Sequence, residues 1–295
     1  MQNNTTVGYT IQFNMDKRSL SINKFMDNQG KKIDEGRTSI VKIKVDTNGN
    51  KLLEKVVALI NENREIKTLW RIINVNATDR LGYSDHGPTH FQIVANYSLR
   101  ILRLLDKKGV EMSVVKNFGL TKEHAEVIVF LASVLHDLGM SIHRVSHETF
   151  SLFLVNPLLK DLLSFMEVEE RTVMVSETLH AIISHSHGSA GRTSTIEGGI
   201  VRVADALDMT KGRSRVLKIL VDIENISNQA IESVYVNEGT EKFIDIKITM
   251  TNPAGLFQID DFVEEKLDPS GLKKYIDVKA YIIENGEEKL FKDFE

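Results

Sequence analysis

Apolar residues in this chain change their spacing near residue 215, and that change constrains the fold more than any other feature. From Lys51 they recur at helical intervals. Leu52, Leu53, Val56, Val57, Leu59 and Ile60 form a stripe that resumes at Ile66, Leu69 and Ile73, the pattern of helix with one buried face. The same period predicts helices over about 88–107, 121–138, 143–166 with Pro157 interrupting, 168–186 and 197–210. After Arg215 the period becomes two. Leu217, Ile219, Val221 and Ile223 alternate with mostly polar neighbours, as do Ile244, Ile246, Ile248 and Met250, and then Ile276, Val278, Ala280 and Ile282, which predicts strands. Residues 234–236 make a further short strand, 225–231 a short helix and 256–267 (LFQIDDFVEEKL) a longer one. The resulting order, βαββαβ, is the ferredoxin-like arrangement, a fold that hosts many functions and specifies none.

Residues 40–46, IVKIKVD, also alternate and are followed by TNGN, which reads as a half-buried strand ending in a turn. The chain therefore divides into an N-terminal β appendage (1–50), a helical domain (51–215) and a C-terminal α+β domain (216–295), and its class is α+β. Charge marks the same second boundary: residues 216–295 hold 17 acidic and 9 basic side chains, a net −8, against +4 for the rest and −4 overall. That balance is too even to suggest nucleic-acid or membrane binding by electrostatics alone. No apolar run reaches about 18 residues and the first residues lack a signal-peptide core, so a cytoplasmic protein is expected. The exposed edges of the predicted strands need covering, and pairing between subunits in a homo-oligomer is one way to do so; helices of the same chain are the other.

There are no cysteines and nine histidines, and all the histidines fall between positions 86 and 187. Disulfides, thiolate metal sites and cysteine nucleophiles are excluded, and any metal must be held by histidine, carboxylate or water. Several histidines occupy positions where the helical pattern expects an apolar residue, and burying imidazole without a partner is costly. His90 precedes Val94, Tyr97 and Ile101 on one face. His136 and Asp137 close the apolar helix EVIVFLASVLHDLG beside Gly139, read as a helix terminator. His147 follows His143 by one turn, His185 closes a helix containing Ile182 and Ile183, and Asp205 shares a stripe with Val201 and Asp208. Any one of these is ordinarily a hydrogen-bonded core residue. Taken jointly, one or two divalent ions inside a helical bundle would satisfy them all.

These residues resemble the HD-domain superfamily, whose pattern is a histidine, an adjacent His-Asp pair and a distant aspartate. Here those positions are His90, His136 with Asp137, and Asp205. The segments GPTHFQIVANYSLRIL, LASVLHDLGMS and GGIVRVADALDM are similar to what the family shows around each ligand, and the resemblance covers roughly residues 80–215. It implies an all-α HD bundle for that part. His147 in SHETFSLFL and His185 in AIISHSHG are similar to the extra histidines of two-metal branches, as in bacterial diadenosine-tetraphosphate hydrolases and, more distantly, HD-GYP phosphodiesterases. The implied centre has Asp137 bridging, His90, His136 and Asp205 on one ion, and His147 and His185 on the other. His180 and His187 compete with His185, but His180 and His185 would point about 140° apart on a regular helix, so only one can serve the same ion.

The chain departs from the best-known pattern in two places. Many HD phosphodiesterases carry lysine three residues after the HD aspartate, where this chain has Met140, and the GYP tripeptide is absent; cyclic di-GMP hydrolysis is thereby disfavoured. The cationic role toward substrate phosphate would pass to Arg144, or to Arg213 and Arg215 in DMTKGRSR, unless these arginines only form surface ion pairs. Asp208 either orients a ligand or partners Arg213. The function implied is a metal-dependent phosphohydrolase that cleaves a phosphomonoester, phosphodiester or nucleotide anhydride through metal-activated water, with Asp137 and His136 as the catalytic pair. A small phosphorylated substrate, a nucleotide by preference, would be its partner. The nitrogen and oxygen ligands suit one or two ions of manganese, iron, cobalt, nickel or zinc. The alternatives are an HD-type diiron oxygenase with nearly the same ligands and a nucleotide-binding regulatory protein.

Overall fold

A computed structural model describes residues 41–81, 86–186, 192–210, 227 and 229–294, all within the compact unit Thr38–Glu295. The helical part begins with α1 (Lys51–Glu62) and α2 (Arg64–Asn74). Asn63 ends the first and starts the second, its side chain accepting from the Ile66 backbone N–H, which satisfies one of the donors that a helix start leaves open. Asn50 does the same for α1 and also donates to Glu126 at 2.8 Å. This ties the first helix to α5 (Lys122–Leu135), whose residues are buried without interruption from Ala125 to Leu135. A helix apolar all round belongs at the centre of a bundle. Around it pack α3 (Pro88–Lys107), α7 (Val168–Ile183) and α8 (Ile196–Ala206), with α4 (Ser113–Phe118) leading into it and α6 (His147–Leu162) against α7. Trp70 of α2, fully buried, donates its indole N–H to the Val134 carbonyl at 2.9 Å near the end of α5.

Residues 41–46 alternate in burial as the sequence predicts, with Ile43 in the core, but they form no strand. The backbone of Ile43 and Lys44 is satisfied by side-chain amides: Asn61 both accepts from and donates to Ile43, Gln92 accepts from Lys44, and Asn96 donates to the Lys44 carbonyl. With helix side chains serving as the ladder partner, the extended segment needs no neighbouring strand.

The class is α+β, as read from the sequence. The C-terminal sheet contains β1 (Ile231–Glu238), β2 (Ile244–Met250), β3 (Ile276–Glu284) and β4 (Glu287–Phe294) in the order β1-β2-β3-β4. Its ladders are antiparallel, parallel and antiparallel. Ile244, Ile246 and Ile248 align with Ile276, Val278 and Ala280 on the buried face. This order corrects the ferredoxin-like expectation: β2 has β1 on one edge and β3 on the other, whereas that fold would place its first strand between them. The predicted strand at 217–223, most of the helix at 225–231 and the boundary at 215 lie outside the described residues. The parallel crossover between β2 and β3 runs through α9 (Leu256–Asp261), which continues as a π-helical turn, Phe262–Leu267. β4 is absent from the sequence prediction because every residue from Glu287 to Asp293 is exposed, so it carries no alternating buried face.

Two contacts position the sheet on the bundle. The outer edge of β1 is covered by α3, where Tyr97 donates to the Val234 carbonyl at 3.1 Å and Arg100 to that of Val236 at 2.8 Å. Lower down, Gly199 of α8 lies so close to residues 268–270 that a Cβ there would stand 2.4 Å from the Ser270 carbonyl oxygen. Among the described residues no helix is long and apolar enough to cross a membrane. Gly199→Ala should destabilise the protein by about 1–3 kcal/mol through forced overpacking, measured by urea denaturation; an unchanged midpoint would contradict the close approach.

Candidate metal centre

The predicted ligands come from the ends of five helices that meet at one side of the bundle. His90 is in the first turn of α3, His136 and Asp137 follow the last turn of α5, His147 opens α6, His185 follows α7, and Asp205 lies in the last turn of α8. Gly139 does not end α5 by a left-handed turn, correcting its reading as a terminator. It sits in the short helical turn Leu138–Ser141, where a Cβ would come within 1.9 Å of the His147 carbonyl oxygen. Glycine is required because α6 must pass this close for His147 to reach Asp137.

In all four imidazoles the Nδ1 is already engaged. His136 Nδ1 lies 3.0 Å from the Ser133 carbonyl, His147 Nδ1 2.9 Å from that of Arg144, His185 Nδ1 2.6 Å from that of Ile182, and His90 Nδ1 2.7 Å from Asp208 Oδ2. Carbonyl and carboxylate oxygens only accept, so each Nδ1 carries the proton and a neutral ring presents a bare lone pair at Nε2. Those lone pairs face each other: His90 and His136 at 3.3 Å, His147 and His185 at 3.3 Å. Two unprotonated nitrogens at that distance repel unless a cation lies between them. Nitrogens each about 2.0–2.1 Å from one tetrahedral ion would stand about 3.3 Å apart, so the donor set fits a divalent metal.

The carboxylates complete the pattern. Asp137 turns Oδ1 toward His147 (3.1 Å) and His185 (3.6 Å), and Oδ2 toward His136 (3.5 Å) and His90 (3.9 Å). Asp205 turns Oδ1 toward His90 (3.3 Å) and His136 (3.6 Å), and Oδ2 toward Lys266 Nζ (3.2 Å). Three overlapping sets result: His90 with His136 and Asp137; His136 with His185 and Asp205; and Asp137 with His147 and His185. Each set offers ligand atoms within 4.8 Å of one another and could hold an ion. Burial pushes both aspartates toward the neutral form. The neighbouring His136 and the hydrogen bonds of His147 and His185 overcome it at Asp137, and the Lys266 ammonium with His136 and His90 overcomes it at Asp205. Both carboxyls are thereby held well below the usual carboxylate range. Burial lowers His185, whereas at His147 burial is outweighed by the hydrogen bond and charge of Asp137 together with the charge of Glu148 and the Arg144 carbonyl, which raise it.

Beside the centre lies a cleft of about 520 Å³ lined by His86, Arg144, Glu148 and Lys266 along with Asp137, His147, His185 and Asp205. Arg144 lines this cleft, and Asp208 Oδ2 accepts from His90 Nδ1. His180 lies elsewhere, within 2.9 Å of the Ser194 hydroxyl. His124 caps α5 with Thr121 and pairs with Glu170, and His143 is exposed. His187, Arg213 and Arg215 lie outside the described residues. Lys266, His86 and Glu148 were not assigned from sequence. For Lys266 no local signal exists, since its segment reads as an amphipathic helix with a solvated charged face.

Asp137→Ala should abolish metal retention. Asp208→Ala, which releases the His90 ring, should weaken it about 10- to 100-fold. His185→Gln should lower metal content while His180→Gln leaves it at the wild-type value. Metal analysis of protein purified without chelator checks all four; full retention in the Asp137 variant would contradict the site.

Comparison with known proteins agrees with this geometry. The HD domain family matches residues 89–210, which contain every residue of the three sets. A relative from Methanocaldococcus jannaschii, named only as uncharacterized protein MJ1020, is 43% identical over 224 residues, covering 75% of this chain and 86% of its own length. No solved structure matches significantly. From the match over residues 89–210, the extent of this relationship and the convergence of His90, His136, Asp137 and Asp205, the chain belongs to the HD-domain family.

Proposed function

We propose that this protein is a divalent-metal-dependent phosphohydrolase acting on a small phosphorylated molecule, a nucleotide by preference. The observation that carries the reading is Asp137, whose two oxygens face separate imidazole pairs beside an open cleft that Arg144 and Lys266 also line. When bound, one or two divalent ions would supply Lewis acidity that lowers the pKa of water from 15.7 toward about 7 and draws charge from phosphoryl oxygens. Asp137 would bridge the two ions, with His90, His136 and Asp205 holding one and His147 and His185 the other. His136 and Asp137, adjacent in sequence and buried, form the catalytic pair. Their positions are fixed by the Ser133 carbonyl behind His136 and by α6 packed on Gly139.

The rest of the cleft suits an anion. Arg144 lines it just before α6, where residues 142–146 are exposed and the guanidinium can turn toward a phosphate fork. Arg213 and Arg215, a few residues beyond the end of α8, are assigned the same role from sequence alone. Cysteine is absent from the chain, and no serine with a histidine base is needed when water is the nucleophile. The mixed nitrogen and oxygen donors suit manganese, iron, cobalt, nickel or zinc better than magnesium or calcium. Arg144 and Lys266, which line the cleft beside Glu148, favour hydrolysis of a phosphate ester or anhydride over oxygen chemistry on an uncharged substrate.

Protein purified without chelator, loaded with each candidate ion and offered phosphomonoesters, phosphodiesters, nucleotides and dinucleotides in anaerobic buffer should release phosphate or nucleotide with manganese. An activity that instead requires iron and consumes oxygen would replace this reading with the diiron oxygenase. Arg144→Ala should raise KM about tenfold or more through loss of a charge-assisted contact, with metal content unchanged; an unaltered KM would remove Arg144 from the phosphate site.

A further inference from the structure

We infer that Lys266, contributed by the C-terminal α+β part, is the fixed anion-binding cation of this cleft. The inference rests on the phosphohydrolase reading for its substrate class and extends it by making the C-terminal part a component of the site. Lys266 lies in the π-helical turn Phe262–Leu267, an irregularity frequent at functional positions. Its Nζ is 2.9 Å from the His185 carbonyl oxygen and 3.2 Å from Asp205 Oδ2, and its side chain is 14% exposed. It therefore contacts the backbone of one metal-site residue and the carboxylate of another, and it lines the same cleft as Arg144 and His147.

The turn that carries it is anchored on the bundle. Arg202 of α8 donates to the Glu265 carbonyl at 2.9 Å and to the Ser184 carbonyl at 3.3 Å, joining the turn to the end of α7. Thr193 donates its N–H to the Pro269 carbonyl, and Gly199 packs directly beneath Ser270. Phe262, Val263 and Leu267 are buried. An ammonium on such a platform is already placed and loses little freedom when a ligand arrives.

The charge itself needs a reason. An ammonium beside a site for divalent cations is repelled by them in a partly buried setting, and two hydrogen bonds to oxygen acceptors could equally be made by a neutral amide. Asp205 offsets part of the cost by standing between Lys266 and the imidazoles, with Oδ1 toward His90 and Oδ2 toward Lys266. Nζ has three N–H donors, and these two contacts use two. The third, in a residue that faces the cleft, matches an anionic oxygen of the substrate. Met140, also buried along this cleft, brings no charge. Lys266 is thus a positioning residue for Asp205 and a direct contact for phosphate.

The test uses the full chain loaded with manganese and inorganic phosphate as the probe, titrated calorimetrically at constant ionic strength, with metal content measured on the same samples. Lys266→Gln, which keeps donors without the charge, should retain wild-type metal content and bind phosphate about 10- to 100-fold more weakly. Lys266→Arg should recover most of the affinity. Equal phosphate affinity in the wild type and Lys266→Gln would overturn the inference, as would no measurable affinity in the wild type. Metal loss in the Gln and Arg variants that tracks the loss of phosphate binding would also overturn it, reducing Lys266 to a support for Asp205. Should the wild type bind phosphate yet hydrolyse no phosphoester, the phosphohydrolase reading would fail while the affinity comparison still decided the role of Lys266.

Discussion

Four imidazole lone pairs point into one buried space, and the surrounding structure exists to keep them there. Each ring is locked by an Nδ1 bond to an acceptor with no proton to give, so none can turn its N–H inward to relieve the crowding. A neutral core would hold such an arrangement only at the cost of several unsatisfied acceptors. The two aspartates do not remove the difficulty, because ionised carboxylates add further acceptors. Positive charge is the missing component; the protein supplies part of it as Lys266, and divalent cations, which these groups could hold, would supply the rest.

The helix ends make this possible. Ligands at the middle of helices would need long side chains to converge, whereas His90, His136, His147, His185 and Asp205 sit within a turn or so of a terminus where several helices meet. Asp137 and Gly139 occupy the tight turn after α5, and α6 approaches closely enough that only glycine fits there. The all-round apolar character of α5 buries it as the axis from which the His-Asp pair projects. Local chain geometry, core packing and metal-site chemistry are thus settled by the same few residues.

How much of this was legible in the sequence depended on whether a residue's role showed in its own neighbourhood. The helix at 88–107 was readable because Pro88 starts it and its apolar stripe is continuous. His90, His136, His147 and His185 were readable because imidazole at apolar positions is anomalous wherever it occurs. β4 carried no such mark, since the strand has no buried face. Residues 40–46 alternate like a strand, and over 41–46 the burial follows that pattern, but pairing depends on Asn61, Gln92 and Asn96 from helices farther along the chain. The strand order was hidden for a related reason: alternation says which side chains face inward and nothing about which edges meet. Lys266 was the least legible, because its partner Asp205 is 61 residues away and its own segment looks like an ordinary solvated helix.

The account stands on Asp137 lying between cations. Crystals of the full chain grown with manganese, measured at the manganese absorption edge, test that most directly. Two anomalous peaks should flank the Asp137 carboxylate, one within bonding distance of His90, His136 and Asp205 and the other of His147 and His185. Density showing no peak within reach of Asp137 at saturating manganese, with the four Nε2 atoms turned away from one another, would contradict it.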